Sequence, residues 1–148
     1  MIDDLYSARV LTLAANMPHA GRLTAPQATS EKVSKLCGSR VLVDVAVDGG
    51  RVSAFAQEVK ACALGQAAAA VLGAYVIGAE VEEIEQARDQ LKAMLKSGAP
   101  PPKGRFAELA LLEVVKDYPA RHASTMLAFE AAAEAARRAL QARTTAAS

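Results

Sequence analysis

Two cysteines, Cys37 and Cys62, are the side chains best suited to chemistry in this chain of 148 residues. Cys62 opens the stretch KACALGQAAAAVLGAYVIG, residues 60–78, an uncharged, alanine-rich run once Lys60 is passed. A helix beginning near Cys62 leaves its first backbone N–H groups unpaired and aimed at the thiol, and their partial positive charge favours a thiolate. A thiolate is the form that binds metals and transfers sulfur. From residue 63 to 78 Gln66 is, Tyr75 aside, the only polar side chain. Such a helix has no solvent face of its own and must be covered by other elements, so packing fixes its terminus and the cysteine with it. The run approaches spanning length, but alanine and glycine transfer weakly to hydrocarbon, which argues for a buried helix over a transmembrane one.

The elements that position Cys37 are strands. Val41, Val43, Val45 and Val47 alternate with Leu42, Asp44 and Ala46, the period of two expected of a strand. Asp48-Gly49-Gly50 supplies the positive-φ residues of a tight hairpin, and residues 51–59 read as the return strand with Phe55 and Val59 on one face. Residues 31–36 form a candidate edge strand leading into Cys37-Gly38. Because Cys37 precedes the first hairpin strand and Cys62 follows the second, antiparallel pairing brings the two thiols to the same end of the sheet. Any hairpin brings its flanks together, and no C-x-x-C spacing is present, so the residues alone leave three roles open: inert buried thiols, metal ligands and sulfur carriers.

The remaining elements are helical. Asp3 or Asp4 can cap a first helix running to about Asn16, with Leu5, Ala8, Leu11 and Ala15 on one side. The loop PHAGRLTAPQATS holds His19, which in such a segment is expected to be solvent-exposed. Residues 81–96 are amphipathic, with Ile84, Ala87, Leu91, Met94 and Leu95 on one stripe, Glu82, Glu83 and Glu85 at the start and Lys92 and Lys96 at the end, matching the helix dipole. Ser97-Gly98 stops it and three prolines at 100–102 form a stiff connector. A short apolar helix over 106–115 and a last helix over 124–142 follow, the latter capped by Ser124 or Thr125 and carrying a Glu134–Arg138 pair. Residues 143–148 are expected to fray. The whole reads as one α+β domain over 1–148, a small antiparallel sheet of about three strands covered by helices.

Lys and Arg number 17 against 16 acidic residues, a net charge of +1, so no global field draws the chain to nucleic acid or an anionic membrane. Two aspartates stand where a signal peptide needs positive charge, which points to the cytoplasm. In that reducing compartment a permanent disulfide is not expected.

Taken together, LCGSR at 36–40, the DGG hairpin, KACALGQAAA at 60–69 and YPARHASTMLAFEA at 118–131 resemble the U-type iron–sulfur cluster scaffold family, that is, the IscU, SufU and NifU N-terminal domains. The similarity runs over nearly the whole chain. The family's three cysteines sit as C-G-D after the first strand, at the start of a small-residue helix, and ahead of the last helix. Cys37 and Cys62 match the first two. Ser124 stands at the third position, and Ser39 replaces the aspartate of C-G-D. A serine hydroxyl, hardly ionised at pH 7, is a poorer ligand than thiolate, so both departures weaken the implied site. His122, two residues before Ser124, could supply an imidazole instead, giving a Cys-Cys-His set acceptable to zinc or a cluster.

The resemblance therefore implies a non-enzymatic scaffold that holds iron, an iron–sulfur cluster or zinc on Cys37 and Cys62, with a third ligand from His122, Ser124, a second subunit or a small thiol. It further implies a cysteine desulfurase as sulfur donor, apo-proteins as cluster acceptors, and a possible homodimer. The alternatives are a metal-free sulfur relay, in which one cysteine accepts a persulfide and the other resolves it, and a binding module that has kept the fold without the chemistry.

Overall fold

The computed structural model describes residues 6–147, with side chains as far as 142. In chain order it contains α1 (Ala8–Ala15), β1 (Ala28–Val33), β2 (Arg40–Asp48), β3 (Arg51–Lys60), α2 (Ala63–Tyr75), α3 (Val81–Ser97), a 3-10 helix (Gly104–Asp117), a 3-10 turn (Pro119–Arg121) and α4 (His122–Ala147). The expected α+β class holds. The three strands form one antiparallel sheet in the order β1-β2-β3.

The hairpin of β2 and β3 turns through Gly49 and Gly50, both at positive φ, and Asp48 pairs with Arg51 across it. The alternating valines read as a strand because the sheet buries them: Val41, Val43, Val45 and Val47 are all sealed from solvent. β1 occupies Ala28–Val33, three residues earlier than the 31–36 segment expected from sequence. The chain leaves the sheet at Ser34 because the Ser34 N–H donates to the Ser39 carbonyl at 2.8 Å and the Gly38 N–H to the Ser34 carbonyl at 2.8 Å, closing a turn. Asp44, buried in β2, ties the preceding loop to the sheet by accepting from Arg22, the Leu23 N–H and Thr29.

Covered as its composition requires, α2 packs against α1, α4, β3 and the 3-10 helix and buries Leu64, Val71, Leu72 and the alanines between them. The stripe expected on α3 is the buried one, from Ile84 to Leu95, and a capping box joins Glu80 and Glu83 at its start while Gly98, at φ 69°, ends it. Among the described residues no helix is long and apolar enough to cross a membrane.

Three expectations are corrected. The first helix is capped by Ser7, whose hydroxyl accepts from the Val10 N–H at 3.3 Å; Asp3, Asp4 and Leu5 lie outside the described residues. Its buried residue is Val10 while Leu11 is exposed, so the packed face is rotated from the stripe of Ala8, Leu11 and Ala15. Residues 104–117 coil as 3-10 rather than α-helix, with a kink at Phe106, and at about three residues per turn Phe106, Leu109, Leu112 and Val115 fall on one buried face. The third concerns α4, which begins at His122, directly after the 3-10 turn at 119–121, so neither Ser124 nor Thr125 caps it. Thr125 instead donates back to the Arg121 carbonyl at 2.8 Å. The Glu134–Arg138 pair forms at 2.7 Å. The expected fraying of 143–148 concerns side chains outside those described and Ser148, also outside them.

Candidate functional site

Cys37 sits at the tip of the β1–β2 turn, exposed, with Gly38 behind it at φ 74°. A positive φ is a conformation glycine adopts without steric cost, which is why Cys-Gly turns outward here. Cys62 is the N-cap residue of α2 and is partly buried. The register pairs Arg40 with Lys60, so the residues flanking the two cysteines lie side by side at one end of the sheet, as the hairpin argument requires.

What joins the thiols is a pair of hydroxyls. The Cys37 sulfur lies 3.1 Å from the Ser39 hydroxyl, Ser39 lies 3.3 Å from the Ser124 hydroxyl, and Ser124 lies 3.2 Å from the Cys62 sulfur. Ser39 and Ser124 are buried, at 5% and 2% exposure, so this bridge is shielded while Cys37 faces outward. Ser34 completes the surroundings of Cys37, accepting from its thiol at 3.4 Å. Hydrogen bonding with Ser34 first, whose hydroxyl accepts from the thiol and turns to donate to the thiolate, then with Ser39 and its backbone, lowers the Cys37 thiol to about 7, outweighing the opposing effect of burial. Hydroxyls achieve this because they donate to a thiolate more strongly than to a neutral thiol. Near neutral pH Cys37 is therefore substantially populated as a thiolate.

Close approach of α2 and α4 sets the position of Ser124. A Cβ on Gly65 would lie 2.8 Å from both the Ala61 Cβ and the Ser124 hydroxyl, and 2.9 Å from the Ser124 carbonyl. Only glycine fits there. Gly65 was not singled out as a site residue from sequence, although a lone glycine inside an alanine-rich helix costs about 1 kcal/mol relative to alanine and so asks for a packing reason. Ser34 was also missed; its signal was the pair of serines bracketing a Gly-containing turn, Ser34 to Ser39.

His122 stands apart from the thiols' hydroxyl bridge. Its imidazole is buried, and Nε2 lies 2.9 Å from the Val115 carbonyl and 3.2 Å from that of Lys116, clamping the end of the 3-10 helix to the start of α4. Two carbonyl acceptors make Nε2 the protonated nitrogen. His19 is exposed, as expected, with its ring edge-on to Phe55. Among the described residues no three His, Cys, Asp or Glu side chains converge as a metal-binding group. The chain thus offers two soft sulfur donors and three neutral hydroxyls in one place, a set that supplies only half of a tetrahedral thiolate shell.

A small sheet sheltered by helices, with two thiols held together at one end by the strand register, defines a thiol-bearing scaffold of the α+β class. The family model for the NifU-like N terminal domain matches residues 5–125, and the chain belongs to that family, the U-type scaffolds. It is 28% identical over 131 residues to the iron–sulfur cluster assembly scaffold protein IscU of Thermotoga maritima, covering 88% of this chain and 92% of that one. The fold is similar to the crystal structure of a nitrogen-fixing NifU-like protein (N-terminal) from Brucella abortus, with a TM-score of 0.92, 48% identity, and 95% and 97% of the two chains covered. It is similar also to a putative iron–sulfur cluster assembly scaffold protein for the SUF system from Fervidobacterium islandicum, at TM-score 0.82 and 20% identity over 90% and 98% of the chains, a likeness of fold alone. The Thermotoga maritima and Fervidobacterium islandicum relatives are both named as scaffolds.

Proposed function

We propose that this protein is an iron–sulfur cluster assembly scaffold that carries iron or an iron–sulfur cluster as cargo on Cys37 and Cys62, with no turnover chemistry of its own. The observation that carries this is the hydroxyl-bridged thiol pair: Cys37, Ser39, Ser124 and Cys62 form one continuous chain of contacts, each between 3.1 and 3.3 Å, at the end of the sheet. Thiolates are the ligands iron–sulfur clusters take, and a low thiol pKa at Cys37 makes one available at neutral pH. The fit is partial. Ser124 occupies a position beside Cys62 from which its hydroxyl could be a weak third donor, and His122, with Nε2 held on two carbonyls, keeps Nδ1 buried and without a partner among the described residues, the nitrogen through which it would ligate. The remaining coordination then comes from sulfide and from a donor outside the chain: a small thiol, a second copy, or an acceptor's own cysteine.

In this role sulfur arrives from a cysteine desulfurase and the assembled cluster leaves to apo-proteins. An exposed Cys37 at a turn tip is reachable for both exchanges, and the exposed Val33 and Leu36 beside it give a partner an apolar contact. Zinc can occupy the same two thiolates as part of a four-ligand shell. The test is anaerobic reconstitution with iron and sulfide, read by absorption and by iron, sulfide and zinc content. Wild type should retain iron and sulfide, and Cys37→Ala and Cys62→Ala should each lose them. Equal retention by wild type and the Cys37→Ala/Cys62→Ala double variant would overturn the proposal.

A further inference from the structure

A cleft of about 220 Å³ opens beside the thiol pair, between the β1–β2 turn, α3 and α4. It meets the candidate site at two points. Ser34, which accepts from the Cys37 thiol, forms part of its wall, and so does Ala123, the residue before Ser124. Its charges are specific in sign and number. Lys92 and Lys96 lie one turn apart on the exposed side of α3, and Glu130 of α4 lies opposite, half-buried. Burial raises the Glu130 carboxyl, while Lys32, Lys92 and Arg88 pull it the other way through space. Met126 and Leu127 add an apolar floor. His122, with Nδ1 unpartnered among the described residues, is also in the wall. Two cations, one carboxylate and an apolar floor are the complement of a zwitterion bearing two carboxylates and one ammonium group, and the imidazole nitrogen adds an acceptor for one of its N–H groups.

The neighbouring site, on the reading given above, has two thiolates and lacks a third. We infer that the cleft binds a zwitterionic low-molecular-weight thiol of the short-peptide class, held by its carboxylates on Lys92 and Lys96 and its ammonium on Glu130, and that its sulfur completes the coordination of the cargo on Cys37 and Cys62. The binding half of the inference rests on the cleft alone; the coordination half rests on the scaffold reading. No covalent bond forms or breaks in the protein: the thiol loses its proton to solvent as its sulfur ligates iron, as Cys37 and Cys62 do.

Glutathione and S-methylglutathione, which lacks a free thiol, are titrated separately into the metal-free protein and followed by chemical-shift changes at the Met126 and Leu127 methyl groups. Both should bind saturably, and the Lys92→Glu/Lys96→Glu variant, altered only at exposed positions, should bind at least tenfold more weakly. No saturable binding to wild type, or equal binding to the variant, overturns the inference. Reconstitution with iron and sulfide is then compared in glutathione and in 2-mercaptoethanol at equal thiol concentration. Glutathione should leave several-fold more iron and sulfide on wild type after desalting, and charge reversal should remove that advantage. Equal retention in the two thiols overturns the coordination half. If wild type holds no iron and sulfide in either thiol while the titration still saturates, the scaffold reading fails and takes the coordination half with it, and the cleft remains a binding site.

Discussion

Replacing Ser124 by Cys tests the site at the position where this chain departs from a three-thiolate set. The Ser124 hydroxyl has two contacts, to the Cys62 sulfur at 3.2 Å and the Ser39 hydroxyl at 3.3 Å, and it sits 2.8 Å from where a Gly65 Cβ would be. Losing two hydroxyl contacts costs about 1 kcal/mol each, and the larger sulfur, pressed against Gly65 at a site only 2% exposed, adds about 1 kcal/mol of overpacking. At about 3 °C per kcal/mol for a domain of this size, the melting temperature should fall by less than about 10 °C, leaving a folded protein. Against that stands a third soft anionic ligand 3.2 Å from Cys62, in place of a hydroxyl that is hardly ionised. The variant and wild type are reconstituted anaerobically and challenged with an iron chelator, with iron and sulfide followed over time. Loss should be at least tenfold slower from Ser124→Cys, equivalent to about 1.4 kcal/mol. A folded variant that loses iron and sulfide as fast as wild type, or that takes up none, would refute the argument that thiolate number limits this site. In the same assay His122→Gln distinguishes the third donors: Nε2 is held on the Val115 and Lys116 carbonyls while Nδ1 is buried without a partner among the described residues, so abolished retention in a folded His122→Gln protein makes Nδ1 the working third ligand, and retention near wild type leaves that place to Ser124 or a donor outside the chain.

Cys37 should alkylate with iodoacetamide with a pH midpoint of about 7, and Ser34→Ala should move that midpoint upward, since Ser34 is the largest cause of the lowered value. The sign for cargo follows: below the midpoint a proton competes for the sulfur, so iron retention should fall as pH drops from 8 to 6 in wild type, and Ser34→Ala should shift that fall to higher pH. An unchanged alkylation profile in Ser34→Ala would show that the hydroxyl does not govern the thiol. Gly65→Ala should destabilise the fold by about 1–3 kcal/mol, because the new methyl meets Ala61 and both the hydroxyl and the backbone of Ser124 at under 3 Å. Chemical denaturation reads the cost, and an alanine variant as stable as wild type would mean that α2 and α4 separate more easily than their contact implies.

Much of the architecture was legible because it follows from local pattern. The valine alternation over β2 buries one row of side chains, the Gly49-Gly50 turn admits the positive φ a two-residue hairpin needs, and the stripe of α3 has one apolar face. Cys62 at the start of an uncharged helix also followed from composition, since a run with no polar face has to be buried and has to begin where polarity ends. From those elements alone, the antiparallel register places the two cysteines at one end of the sheet. What sequence could not decide was the partner of any side chain whose neighbour is distant along the chain. Ser124 read as a helix cap because capping is the local use of a serine; the 3-10 turn before it starts α4 two residues earlier and directs the hydroxyl across to Cys62 and Ser39 instead. His122 is a ligand candidate by its spacing, and only packing decides which ring nitrogen is free: Nε2 is held by the carbonyls of Val115 and Lys116, and Nδ1 is left without a partner among the described residues. The rotated face of α1 has the same origin: Val10 is buried and Leu11 exposed according to where α2 lies, not according to their own hydrophobicity. Periodicity is a property of the chain and survives in the sequence, whereas the contact between Ser124 and Gly65, and the thiol bridge it holds in place, exist only where two helices meet.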